Sequence, residues 1–156
     1  LGVPLRSTLI ANKKFGTRMA LEIVAVRGVY AKEVAVDDIL KKPDMAAFCR
    51  TCGICEAMCP RNCISADSFE RNKCIRSVQE SADLSDKDAA EAVGTQLWGC
   101  DICQDVCPMN KNVEISPIKE FFDTAKSVYE SGDDITRRAF NWRGEAVIER
   151  NLKILL

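Results

Sequence analysis

The sequence predicts an α+β fold built around a cysteine-rich centre, entered through a β-hairpin and left through helices. Nine cysteines fall between Cys49 and Cys107 in a chain of 156 residues, and two of their groups end in Cys-Pro. Turn-punctuated, Ile- and Val-rich sequence precedes them. Residues with helical apolar spacing follow.

Composition narrows the chemistry before any motif is read. The hydrophobic fraction of 47% and charged fraction of 29% are those of a chain with a folded core. The 22 Lys and Arg against 23 Asp and Glu give a net charge of -1, without the basic excess that non-specific nucleic-acid binding requires. Histidine is absent, which removes Cys/His zinc fingers, His-dependent triads and imidazole proton shuttles. No apolar run approaches the ~18 residues of a membrane span, and no signal-peptide pattern is seen, so a cytoplasmic protein is expected. Nine thiols, an odd number, in a reducing compartment favour metal ligation over a disulfide framework.

The elements follow in order. The chain begins at Leu1 rather than Met and reads as the approach to a strand, so a lost beginning is expected. Ser7, Thr8, Leu9 and Ile10 form one strand of the expected hairpin and residues 20–26 the other, with Asn12, Lys13, Lys14 and Gly16 turning between them. Ser85 as N-cap, Asp88 at the capping-box position and Gly94 as stop predict an acidic helix. Ser116 and Pro117 open a helix whose stripe is Ile118, Phe121, Phe122, Ala125 and Val128, ending before Gly132. Two shorter helices are expected over 135–140 and 145–155, the latter with Val147, Ile148, Leu152 and Leu155 on one face.

Residues 49–60 read CRTCGICEAMCP, the complete ligand run of bacterial-type 4Fe-4S ferredoxins. In such runs three thiolates wrap one cluster, while the fourth lies too far along the chain and serves a second. Residues 100–108, CDICQDVCP, repeat the last three cysteines of the run without the first. Cys74 is the best candidate for the missing thiol. The expected sets are Cys49, Cys52, Cys55 and Cys107 for one cluster, and Cys59, Cys74, Cys100 and Cys103 for the other. The core is thus a bacterial dicluster ferredoxin-like 4Fe-4S fold, and crossed ligands couple cluster binding to folding. Structural zinc also accepts four thiolates at CxxC spacing, but requires neither two Cys-Pro endings nor crossed ligands. Cys63, the ninth thiol, is expected to pack as a small apolar residue beside a cluster, with a substitute-ligand or redox role left open.

From Trp98 to Asn110 the sequence WGCDICQDVCPMN is more specific than a generic ferredoxin and closely resembles epoxyqueuosine reductases, relatives of the corrinoid reductive dehalogenases. The family pattern of CxxCxxCxxxCP, an isolated cysteine and GCDxCQxxCPxN corresponds here to residues 49–60, Cys74-Ile75 and 99–110. Leu1-Gly2, Ser7-Thr8-Leu9-Ile10, Phe15-Gly16 and Leu21-Glu22-Ile23 look like its stretch ahead of the clusters, and Arg150-Asn151-Leu152 like the motif that opens its C-terminal helical repeats. The resemblance implies a division into 1–42, the end of a preceding α/β corrinoid-type domain; 43–115, the double-cluster domain; and 116–156, a helical extension.

It also implies that an upstream domain binds cobalamin, that the cluster with Cys74 and Cys100 lies nearer the corrin with Asp101 lining that face, and that a low-potential donor of ferredoxin or flavodoxin type feeds the other cluster. Two positions depart from the pattern. Arg76 stands where the family has serine, and residues 80–86, ESADLSD, are acidic where the family tends to carry a basic stretch facing tRNA. Carboxylates repel phosphates, which argues against tRNA as the substrate. Arg137, Arg138, Arg143 and Arg150 are expected on a solvated face rather than in a phosphate-binding patch. The expected function is the electron-transfer module of a corrinoid-dependent reductase; the alternative is a stand-alone dicluster ferredoxin or electron-transfer subunit, and an Fe-S protein with purely structural or sensing clusters ranks third. No acid, base or nucleophile for substrate chemistry is identifiable in the chain.

Overall fold

The computed structural model describes residues 2–22, 24, 27–28, 45–81, 93 and 95–156. Strand β1 (Val3–Pro4) pairs antiparallel with β2 (Ile10–Ala11), Val3 opposite Ala11 and Pro4 opposite Ile10. A hairpin is therefore present, but with a different partner from the one expected. Ile10 pairs backwards along the chain, Ser7 and Thr8 lie in the connecting turn, and residues 20–22 form no strand. Leu21 and Val24 are exposed, while Ile23, Ala25 and Val26 lie outside the described residues.

The physical reason lies at Gly16. Asn12 and Gly16 exchange backbone hydrogen bonds, both 2.8 Å, and the next residue, Thr17, donates its N–H to Asn110 Oδ1 at 2.7 Å instead of continuing the ladder. Gly16 has φ +60°, and a Cβ there would lie 2.0 Å from Asn110 Oδ1 and 2.8 Å from the Met109 carbonyl oxygen. Only glycine fits so close an approach.

The first cysteine run folds into two short helices, α1 (Ala47–Cys52) and α2 (Ile54–Met58), divided by Gly53 at φ +63°, which stops the first and starts the second. Leu5, Ala11 and Cys49 form a small core, with Met45, Ala46, Cys107 and Met109 packed against it. Arg6 clamps the hairpin to the run: its guanidinium pairs with Glu56 and donates to the Arg50 carbonyl at 2.7 Å. Helix α2 lies against α4 (Ile102–Asp105), which carries the middle of the second run.

Between them, a 3-10 turn (Arg71–Lys73) leads to α3 (Ile75–Gln79), whose last residue is fully buried. Gln79 donates from Nε2 to the carbonyls of Val93 (3.1 Å) and Gln96 (2.9 Å), and its Oε1 accepts the Gly99 N–H at 2.7 Å. One side chain thus fixes the approach to Cys100. The helix expected between Ser85 and Gly94 lies outside the described residues, apart from Val93, which is buried.

The C-terminal expectations meet mixed results. Ser116 accepts the Ile118 N–H at 3.2 Å, as a cap should, but the helix that follows, α5 (Glu120–Asp123), is a single turn. Phe121, Phe122 and Val128 are exposed, so the stripe faces no partner among the described residues, and a helix without tertiary packing does not propagate. Residues 135–140 form turns, not a helix, because Asp134 takes the Thr136 N–H (2.9 Å) and hydroxyl (3.0 Å), and Asn141 Nδ2 takes the Thr136 carbonyl (2.8 Å).

Helix α6 (Glu145–Leu155) matches its expected bounds, with Val147 and Ile148 buried. Buried Asn151 donates to the carbonyls of Gln79 (3.2 Å) and Leu97 (3.1 Å). Arg150, expected on a solvated face, is instead half-buried and donates to the carbonyls of Gln79 and Ser81, while Arg143 pairs with Glu80 at 2.8 Å.

Candidate metal centres

The cysteines stand around two adjoining cavities. The first, about 20 Å³, is walled by Cys49, Cys52, Cys55, Cys103 and Cys107, with Leu5, Phe48, Ile54 and Pro108 as its apolar lining. The second, about 700 Å³, is walled by Cys59, Cys63, Cys74, Cys100 and Cys103. Each cavity therefore receives thiols from the motif that mainly builds the other: Cys107 reaches the first and Cys59 the second, while Cys103 stands on the wall of both. Among the described residues no three Cys, Asp or Glu side chains converge tightly enough to grip a single metal ion. The thiols are spread over cavity walls.

Local structure explains the placement. In α1 and α2 the spacing of three residues, interrupted by the left-handed Gly53, turns Cys49, Cys52 and Cys55 toward one side. Cys59 follows the end of α2, in extended backbone, and Cys107 occupies the equivalent place after α4 with Pro108 next. The Arg6 N–H donates to Cys49 Sγ at 3.2 Å, which ties the hairpin to the first cysteine.

Burial dominates the electrostatics. It raises the thiols of Cys55, Cys100 and Cys103, the last pushed up to about 12, and neighbouring cysteines add to the rise: Cys49 and Cys107 at Cys55, Cys74 and Cys59 at Cys100, Cys100, Cys55 and Cys74 at Cys103. Cys63 is raised by burial and by its contacts with Cys59 and Cys74. Cys59 goes the other way. Burial pushes it up, but hydrogen bonds from the Cys63 N–H and thiol and from the Arg61 and Ile64 N–H groups outweigh that and lower it.

Asp101 and Arg76 also line the second cavity, beside Trp98. The Asp101 carboxylate accepts Gln104 Nε2 at 2.5 Å; Gln104 Oε1 accepts the Thr17 hydroxyl at 2.8 Å; and Asn110 Nδ2 donates to both Thr17 Oγ1 (2.8 Å) and the Gln104 carbonyl (2.7 Å). The Asp, Gln and Asn of the GCDxCQxxCPxN stretch thus form one relay that ties the hairpin loop to the second run. Arg76 stacks on Trp98, 4.5 Å from the ring centroid, and shares Glu80 with Arg143. Burial lowers the Arg76 pKa, with Arg143 as the next cause. Gln79, which positions this wall from behind, carries no motif in the sequence, and Asn151 lies in the Arg150-Asn151-Leu152 stretch, which gave no sign of this buried role.

Residues 48–110 match the family described as the 4Fe-4S double cluster binding domain. The chain is 32% identical over 98 residues to the epoxyqueuosine reductase of Leadbetterella byssophila, covering 60% of this chain and 32% of that one. It aligns over its whole length with the Bacillus subtilis enzyme of the same name, at 23% identity and 42% of the relative. The chain is epoxyqueuosine-reductase-like. Its fold superposes on the epoxyqueuosine reductase structure from Streptococcus thermophilus with a TM-score of 0.59 at 22% identity, covering 100% of this chain and 42% of the other. An epoxyqueuosine reductase solved with a modified tRNA stem loop gives 0.57 at 20% identity, covering 99% of this chain and 42% of that one. The chain spans less than half the length of these epoxyqueuosine reductases. Among the described residues no helix is long and apolar enough to cross a membrane.

Proposed function

We propose that this chain is the two-cluster 4Fe-4S electron-transfer module of an epoxyqueuosine-reductase-like, cobalamin-dependent reductase, passing electrons from a low-potential donor toward a corrin cobalt. The observation that carries this is the crossed thiol arrangement: Cys49, Cys52, Cys55 and Cys107 stand on the first cavity, Cys59, Cys74 and Cys100 on the second, and Cys103 on the wall of both. Soft thiolates fit iron-sulfur clusters by donor chemistry. Cys49, Cys52, Cys55 and Cys107 would hold one cluster and Cys59, Cys74, Cys100 and Cys103 the other. When bound, such clusters supply one-electron storage whose potential is set by charge, hydrogen bonding and burial.

The remaining roles belong to the chain itself. Leu5, Phe48, Ile54 and Pro108 exclude water from the first site. Arg76, Trp98 and Asp101 line the larger second site, which makes this the face offered to the corrin, with Asp101 held by Gln104. In this reading 1–42 closes a preceding corrinoid-binding domain, 43–115 holds the clusters and 116–156 extends into helical repeats, in a cytoplasmic protein whose donor is a ferredoxin or flavodoxin. Recognition of tRNA is not assigned to this module, because Arg143 and Arg150 are held by Glu80 and by backbone carbonyls.

Anaerobic reconstitution with iron and sulfide tests the reading. About eight irons per chain and broad visible absorption are expected. A colourless, zinc-loaded chain after the same treatment overturns it.

A further inference from the structure

Cys63 sits on the wall of the second cavity with four other thiols, one more than a cluster requires. It is 4% exposed. Its Sγ lies 3.3 Å from Cys59 Sγ, and its N–H points at the same sulfur at 3.5 Å. The backbone enforces this approach. Asn62 adopts φ +48° and donates its N–H to the Cys59 carbonyl at 3.1 Å, so the chain reverses over four residues and returns Cys63 to the side of Cys59. The Glu70 N–H, donating to the Cys63 carbonyl at 2.8 Å, fixes the far side of the turn.

We propose that Cys63 is a standby ligand of the second cluster, able to take the iron that Cys59 holds. This rests on the two-cluster reading above. The exchange balances without redox change: the bond from iron to Cys59 sulfur breaks, a bond from the same iron to Cys63 sulfur forms, and the proton on Cys63 passes to Cys59 across their short contact. When Cys59 is absent, that proton leaves to solvent.

The test is iron content and the electron paramagnetic resonance of the reduced, anaerobically reconstituted chain in four forms: the unaltered chain, Cys59→Ala, Cys63→Ala and the double variant. Standby ligation predicts about eight irons in both single variants and about four in the double variant, with one cluster signal left. A fall to about four in Cys59→Ala alone shows that Cys63 cannot substitute, and a fall in Cys63→Ala alone shows that it is a primary ligand; either overturns the proposal, as does full retention in the double variant.

If Cys59→Ala does not fold, air-induced bleaching of Cys63→Ala decides. It should proceed several-fold faster than in the unaltered chain, because a bond lost at Cys59 has no replacement, and an unchanged rate overturns the proposal. Failure of the unaltered chain to take up iron sinks the two-cluster reading instead, and is distinguishable from all of these.

Discussion

The two cavities follow one ligand grammar and have different surroundings. The first is small, lined by apolar side chains and capped by the hairpin through Leu5 and Arg6. The second is roomy and carries Arg76, Asp101, Gln104 and Cys63, a thiol from outside the ligand motifs. The contrast teaches that similar cysteine spacing can be set in unlike surroundings, which the residues between and around the thiols decide.

The largest expected effect separates the sites outright. Cys107→Ser should cost the first site its cluster and Cys74→Ser the second, each leaving about four irons; equal signals from the two variants by paramagnetic resonance would mean that the sites are not distinct. Next come two variants that act from outside the motifs. Gly16→Ala forces a Cβ into Asn110 and strains a left-handed residue, at a cost of at least about 3 kcal/mol. Thermal unfolding should show the loss, with iron leaving the site of Cys107 first. Gln79→Ala removes three hydrogen bonds from a fully buried group, costing about 3 kcal/mol, and should release iron first from the site of Cys100.

The pH dependence is a property the two sites share. Each thiol must shed its proton to bind iron, so loading strengthens as pH rises for as long as the free thiols stay protonated. Cys103, on both cavity walls, keeps its proton to about 12; Cys55 in the first site and Cys100 in the second are also raised, while Cys59 in the second is lowered. Neutral raised thiols stabilise the cluster-free fold fully below the ordinary value of 9.0, and Cys103 loses that contribution as pH climbs toward about 12, so alkalinity favours the loaded form on both counts. Resistance to an iron chelator, followed between about pH 7 and 9, should therefore rise with pH for both clusters.

The smallest effect is at Arg76. Arg76→Ser should change stability by less than about 1 kcal/mol, since the ion pair with Glu80 and the stacking on Trp98 are partly solvated. Losing the cation should lower the reduction potential of the second cluster alone in a spectroelectrochemical titration. A shift in both would erase the distinction between the sites.

Legibility in the sequence followed the range of the interactions. Thiol spacing is local, so seven cysteines could be named from the two runs, with Cys74 added by count, and all eight line the cavities; the amphipathic run of α6 could be bounded because its apolar face finds a partner. The hairpin partner was missed because Asn110, 93 residues away, captures Thr17 and ends the ladder at Gly16. Phe121 and Phe122 carry a helical stripe, yet propensity without a facing layer yields one turn. Gln79 is an ordinary polar residue in the sequence, and the Arg150-Asn151-Leu152 motif marks Asn151 without giving it a place in the core; only the folded chain makes both buried hubs.

The interlock of Gly16 with Asn110 has a mechanical consequence. With no space between loop and side chain, displacement of the hairpin is passed on to Asn110, three positions beyond Cys107 in the turn that follows it. Tension or docking at the amino-terminal edge would then be transmitted to a sulfur on the cavity wall, so that one end of the molecule can adjust the electronic behaviour of its interior without touching it.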